Sequence, residues 1–472
     1  MALLKEILMT KLQMIGITSL LSIFVSSCTH VPRGNEEQVA GIVQERIGKE
    51  VVWNQSGYGD PRITNYIQDL AFQPITVESG IQIALLNNPK IQATFEEIGI
   101  AQADLVEAGL LSNPVFEVEV RYAHIKKLKT NIEYLLTATF LDIFLIPLRT
   151  RLAKAELEQV KRRVANEILN LAFDVRKTFY ELLGEQQKFK YTKSIVELTS
   201  IQGEIVSRQN RVGNVNNLDF RQVQSRFLEA KLEIAKEQSE IIRLKEKLNR
   251  LLGLSEEMCL ILSEEIPQEI DYQGSSICAL ESIAIEERLD LQEARFEVIR
   301  IRRMLGLKDW WTYTNLNTGV SGERDPDGLN LVGFGVSGEI PIFNFGKAAR
   351  MRIFAQLRQA QDRYAALEIQ ILSEVREFHQ LLISDLGMIN DYRAGILPLQ
   401  NKIISSSEEL YNVMGIGVDR LLENKRQQLV ANRNYLEILK DYWVARVHLD
   451  KALGGYLFRL LPQDGCIEGA IK

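Results

Sequence analysis

The sequence predicts a mostly α-helical protein with a small β part, built as a tandem duplication of long helical hairpins. Three observations lead there. First, the stretch from Arg149 to Arg208 contains no proline and only two glycines, Gly184 and Gly203. Its apolar residues recur at helical spacing through Leu157, Val160, Val164, Ile168, Leu171, Val175, Phe179 and Leu182, then Ile195, Leu198, Ile201 and Ile205. Charged and amide residues fill the other positions, which is the pattern of one amphipathic helix. Some 60 residues at about 1.5 Å each make a rod of roughly 90 Å. A rod that long needs partners of its own length. Second, short stretches switch to a period of two, the mark of strands. Third, the whole series of elements recurs about 200 residues later, far above the usual solenoid period.

The bulk properties exclude several classes. The 472 residues carry a formal net charge of −6 with the signs interspersed, so there is no basic stripe for nucleic acid. Cys28, Cys259, Cys278 and Cys466 form no CxxC, and His30, His124, His379 and His448 stand singly, so no metal site and no cofactor are expected. No nucleophile–base pair or phosphate loop is apparent, so an enzyme is not expected. Gly333-Phe334-Gly335 lies in a strand without a following helix and is no nucleotide loop.

Taken in order, residues 1–27 read as a signal peptide, with Lys11 ahead of the apolar run Met14–Val25 and the small residues Ser26-Ser27. Either Met1 or Met9 is the start. Val25-Ser26-Ser27-Cys28 resembles a bacterial lipobox, which makes Cys28 the lipidated residue; the alternative is an ordinary signal peptide with a chance cysteine. Residues 28–74 form an arm with one short helix near Glu36–Ile47.

The first repeat covers 75–254. A helix stops at Asn87-Asn88, and Pro89 starts another that runs to about Leu111. Strands follow at 115–122 and 131–144, closed by Ile146-Pro147-Leu148. The long helix then runs to a tip at 209–217, a run of turn-formers, and a return helix ends at Leu252-Gly253. A linker, 255–282, leads to the second repeat, 283–455, with strands at 312–323 and 331–340, a long helix and a tip at 412–418. Pro398 inside that second long helix predicts a bend. Residues 456–472 are a tail.

Each repeat thus supplies two full-length rods and a two-stranded ribbon. Four strands cannot close a barrel, and an open edge cannot sit in lipid. Several copies would have to pool their strands in a ring. Trp310, Trp311, Tyr313, Tyr122 and Tyr134 would then suit interfacial belts; the alternative is packing beneath a soluble sheet.

Leu85-Leu86-Asn87-Asn88-Pro89-Lys90-Ile91, the paired Ile-Pro-(Leu/Ile) strand exits, Gly213 with Asp219, Ile396-Leu397-Pro398, and the Leu-Gly repeat ends resemble the TolC-like outer-membrane efflux family over about residues 75–455. The resemblance implies a homotrimer, with a twelve-stranded transmembrane β-barrel and a twelve-helix α-barrel in the periplasm. It implies the outer-membrane exit duct of a tripartite efflux pump, lipid-anchored at Cys28, working with a periplasmic adaptor protein and an inner-membrane pump on drugs, metal ions or other small solutes. Alternatives are the outlet of a type I protein secretion system and a periplasmic coiled-coil scaffold lipoprotein that forms no channel. By the same resemblance the tips form the aperture and adaptor contacts, with Arg211, Gly213, Asp219, Gly415, Asp419 and Arg420 as candidate residues. Asp219 and Asp419 also suit helix capping. An oxidising periplasm would permit a Cys259–Cys278 disulfide.

Overall fold

The computed structural model describes residues 34–53, 65, 74–122, 130–139, 142–254, 262, 265–268, 270, 276–311, 316–338 and 346–455. The expected signal peptide, Cys28, Cys259, Tyr313 and the tail from 456 lie outside these residues. The chain divides into two compact units. One comprises Met1–Asn35, Gly99–Leu157 and Arg300–Phe354; the other comprises Glu36–Ile98, Glu158–Ile299 and Ala355–Lys472.

The helices are α1 (Asn35–Ile47), α2 (Val77–Asn87), α3 (Pro89–Ala108), α4 (Asp142–Arg211), α5 (Asn217–Leu252), α6 (Ile277–Glu287), α7 (Leu289–Trp311), α8 (Lys347–Asp391), α9 (Leu397–Asn412) and α10 (Val418–Ala452). The strands are β1 (Val115–Arg121), β2 (Asn131–Ala138), β3 (Leu316–Arg324) and β4 (Asn330–Gly338). They form one antiparallel meander in the order β1-β2-β3-β4, so β2 and β3 join the ribbons of the two repeats.

Helix α4 has 70 residues, about 105 Å at the helical rise. Ile168, Val175 and Leu182 recur every seven residues along it, with Ala172 and Phe179 between, and all five are buried. That spacing is the seam of a coiled coil. Helix α2 lays Ile81, Ile83, Ala84 and Leu85 into the core, and α1 is seated by Val39, Val43 and Ile47.

The strand boundaries differ from the sequence expectation. Strand β2 stops at Ala138, and α4 has already begun at Asp142, so the expected extension of the strand to Phe144 is helix instead. A short apolar run such as Ile143-Phe144 fits either period. Pro147 therefore sits inside the helix and does not precede it. In the second repeat α7 continues through Trp311, which places Trp310 and Trp311 at a helix end, and β3 starts at Leu316, against a sequence expectation of 312.

Two elbows show the duplication at atomic level. Gly253, at φ 71°, ends α5 against the α2–α3 elbow, where an added Cβ would lie 2.7 Å from the Asn87 carbonyl. Gly454, at φ 68°, ends α10 against the α6–α7 elbow, where a Cβ would lie 3.1 Å from the Glu287 carbonyl. Only glycine fits both the left-handed backbone and the close approach. The exposed carbonyls of each helix end are satisfied differently. In the first repeat the Asn87 amide donates to the Leu252 and Gly253 carbonyls, and the Asn88 amide to that of Leu251. The second repeat has Glu287-Arg288 at that elbow, and the donor comes from the arm: Arg46 of α1 donates to the Gly454 carbonyl at 2.6 Å and pairs with Glu287 at 2.9 Å.

Just ahead of Pro398, where a bend is expected, the helix widens into a π turn over Tyr392–Ile396, in which Leu397 N–H donates to the Tyr392 carbonyl. Pro398 has no N–H to give, and its ring crowds the carbonyl one turn earlier; the wider turn relieves that clash.

Asn88 serves two helices, since its side-chain oxygen also accepts from Lys90 N–H at 2.9 Å at the start of α3. Asn88→Ala is expected to remove both caps, lowering stability by about 1–3 kcal/mol. The check is hydrogen exchange, which should quicken at Leu251–Gly253 and stay unchanged at the end of α10.

Candidate functional site: hairpin tips and the amphipathic sheet

The tips are built from helix-end geometry. At the first, Asn214 N–H donates to the Gln209 carbonyl and Gly213 N–H to that of Asn210, with Gly213 at φ 82°. At the second, Gly415 N–H donates to the Leu410 carbonyl and Met414 N–H to that of Tyr411, with Met414 at φ 58°. The left-handed position is thus Gly213 in one repeat and Met414 in the other. The two tip glycines singled out in the sequence are not equivalent. A methionine in this conformation costs about 1–3 kcal/mol, and Met414 is 93 % exposed.

This register reassigns the charged tip residues. The N-cap of α5 is Asn216, whose side chain accepts from Asp219 N–H at 2.8 Å and donates to the Asp219 carboxylate at 2.9 Å. Asp219 is therefore the third residue of the helix, partnering the cap and not itself the cap. The N-cap of α10 is Gly417, which puts Arg420, not Asp419, at the position of Asp219. Asp419 lies one residue earlier, with one carboxylate oxygen shielded from solvent and without a hydrogen-bond partner among the described residues. Arg211 ends α4, and both Arg211 and Arg420 are exposed. A cation in the first turn of a helix faces the positive end of its dipole, which leaves Arg420 unfavourably placed within one chain.

The structure adds tip-side pairs that the sequence did not mark. Arg226 of α5 reaches Glu423 of α10 at 3.5 Å, so the two return helices start side by side. Arg426, one turn along α10, bonds the same carboxylate and holds it below the usual range. Farther along the hairpins, Glu185 and Lys188 of α4, Glu237 of α5 and Lys440 of α10 form a buried network. The Lys188–Glu185 contact is 2.9 Å, Lys440–Glu185 is 3.3 Å, and Thr192 donates to Glu237 at 3.0 Å. Gly184 makes room for it, because a Cβ there would lie 2.8 Å from the Lys440 Cβ. Cross-element pairs of this kind have no sequence spacing by which to find them. Cys278 has an exposed free thiol.

The sheet is amphipathic. On one face the register aligns Phe116, Leu136, Val320 and Phe334 in one row and Val118, Tyr134, Gly322 and Val332 in the next. All of the apolar side chains in these rows are exposed. The other face aligns Glu119, Glu133 and Glu323, with Arg121 at 2.7 Å from Glu119 and 3.4 Å from Glu133, and Asn131 donating to Glu323. The strands have seven to nine residues, about 23–30 Å at 3.3 Å each. Tilted by roughly 40°, as barrel strands are, they would rise about 18–23 Å, most of the roughly 25 Å apolar band of an outer-membrane barrel. Among the described residues β1 and β4 are open edges. Among the described residues no helix is long and apolar enough to cross a membrane, and no cluster of side chains could hold a metal ion.

On α8, Asp385 is buried and its carboxyl is pushed up to about 6 by that burial and by the nearby charge of Asp441. A carboxyl that holds its proton more tightly when folded stabilises the fold at low pH and loses that contribution as pH rises from 3.8 toward 6. Asp385→Asn is expected to stabilise the protein at pH 7.5 by about 1 kcal/mol and to leave it nearly unchanged below the unfolded value of 3.8, at about pH 3. Thermal unfolding of both proteins at the two pH values checks this.

Residues 80–254 match the family model described as outer membrane efflux protein. No curated protein matches the chain. Several solved structures share its fold. The outer-membrane channel CmeC of Campylobacter jejuni is similar at a TM-score of 0.66 and 15 % identity, over 87 % of this chain and 91 % of that one. The MtrE channel of Neisseria gonorrhoeae in its open state gives 0.63 and 16 %, over 81 % and 89 %. CusC, whose structures concern folding and transmembrane channel formation, gives 0.64 and 18 %, over 80 % and 92 %. Residues 80–254 are therefore similar to the outer membrane efflux protein family, and the chain shares the fold of these outer-membrane channels.

Proposed function

We propose that this protein is the exit duct of a tripartite efflux pump in a bacterial outer membrane. Three copies pool their sheets into a twelve-stranded barrel and line a periplasmic tunnel with their hairpins. An inner-membrane pump supplies the energy, a periplasmic adaptor docks on the tips, and drugs, metal ions or other small solutes pass outward. Cys28, acylated, anchors each chain. The duct itself performs no catalysis.

The amphipathic sheet carries this reading. Among the described residues one chain presents an exposed apolar face, a charged opposite face and two unpaired edges. In lipid every backbone group needs a partner, and a closed barrel of pooled strands provides one for each edge while turning the glutamates toward water. At the tips, Asp219, Asp419, Arg211 and Arg420 form a charged constriction between neighbouring hairpins. Arg420, facing the wrong end of its own helix, finds its anion on the next hairpin.

Two measurements test this. Purified protein reconstituted in planar bilayers is expected to form pores, and Asp219→Asn combined with Arg420→Gln is expected to raise their conductance; unchanged conductance would remove the constriction. On the sheet, Phe334→Lys is expected to disfavour membrane insertion by about 2–4 kcal/mol, while Ser321→Lys on the opposite face is tolerated. Equal tolerance of both would argue for strands that never meet lipid.

A further inference from the structure

The linker between the repeats is gripped where the second hairpin is weakest. Ile266 is buried, Leu262 bridges to Ile75 ahead of α2, and Trp443 of α10 donates to the Pro267 carbonyl at 3.0 Å. Arg393, inside the π turn, donates to the Gln268 carbonyl and to the Tyr435 hydroxyl, the latter at 2.9 Å. Tyr435 donates in turn to the Gln268 side-chain oxygen at 2.8 Å. One short stretch of linker thus ties the π turn of one helix to the facing helix.

Packing changes abruptly at the same level. Before the π turn, α8 buries Ile371, Val375, Leu382 and Ile389 completely. Beyond it, α9 buries only Ile404 and Ser407, and α10 buries nothing before Ala431. Half-buried side chains such as Leu421 and Leu429 and two polar contacts, Asn424 to Ser407 at 2.7 Å and Gln428 to Asn401 at 2.7 Å, join the tip half. A segment with few buried apolar contacts, joined through a turn that lacks the Pro398 hydrogen bond, is the part of a structure that opens at least cost.

We propose that Pro267–Gln268 is a latch on a hinge. With Arg393, Tyr435 and Trp443 it holds α9 at its present angle to α10, and its release lets the tip half of the second hairpin tilt about Tyr392–Ile396. On the duct reading above, on which this consequence rests, that tilt changes the aperture. Arg393 is exposed, which suits a tie that must let go. The neutral hydrogen bonds of Tyr435 and Trp443 to the linker supply the rest of the grip.

The experiment uses the full-length protein with Arg393→Met, and separately the milder Tyr435→Phe/Trp443→Phe pair. Hydrogen exchange of α9 amides is expected to quicken roughly three- to tenfold in both variants, with α4 unchanged. Pore conductance in planar bilayers is expected to rise in both. Unchanged exchange in α9 would overturn the latch whatever the conductance. Faster exchange in a protein that forms no pores would sustain the latch and reject the duct instead. Faster exchange with unaltered conductance would confine the hinge to packing and overturn its link to the aperture.

Discussion

A helix of about 105 Å cannot stand by itself in water, and much of the architecture follows from covering it. Within its own repeat no single partner of that length follows it. The cover there is assembled from shorter helices, so every join exposes N–H and C=O groups among the packed helices. The elbows answer that constraint. Asn87 and Asn88 reach across from one short helix pair to the end of α5, and Gly253 lets the backbones touch. The second repeat keeps the glycine and the geometry but has lost both asparagines, and Arg46 from outside the duplication takes over their donors.

The same constraint explains why polar residues are buried along the wall. Glu185, Glu237 and Asp450 sit at positions where three helices converge, and each has a cation or hydroxyl opposite. Removing one partner from such a group leaves a desolvated charge, so these pairs fix which helix faces lie together more than they add stability.

The long helices were legible because their signal is summed over many residues: a seven-residue recurrence from Ile168 to Leu182 leaves little room for another reading. The strands were legible in kind, from the alternation of Val115–Tyr122, but not at their ends. Proline reads as a boundary, yet Pro147 is accommodated inside α4. At the tips, matching glycine to glycine set the repeats out of step by one residue. The backbone is matched by conformation, and a methionine occupies the left-handed position that Gly213 marks in the first repeat. The register of the charged tip residues could not be read from the sequence. Pairs such as Arg46 with Gly454, or Arg393 with Gln268, leave no local trace because the partners are far apart in the chain.

The seating of Arg46 has a consequence for biogenesis. Its acceptor lies 408 residues downstream, just past the end of α10. A polypeptide delivered amino-end first would expose that guanidinium long before Gly454 arrives, so α1 gains this contact late. Closure of the second repeat is thereby coupled to synthesis through Gly454, and a product terminated before α10 would leave Arg46 without that acceptor.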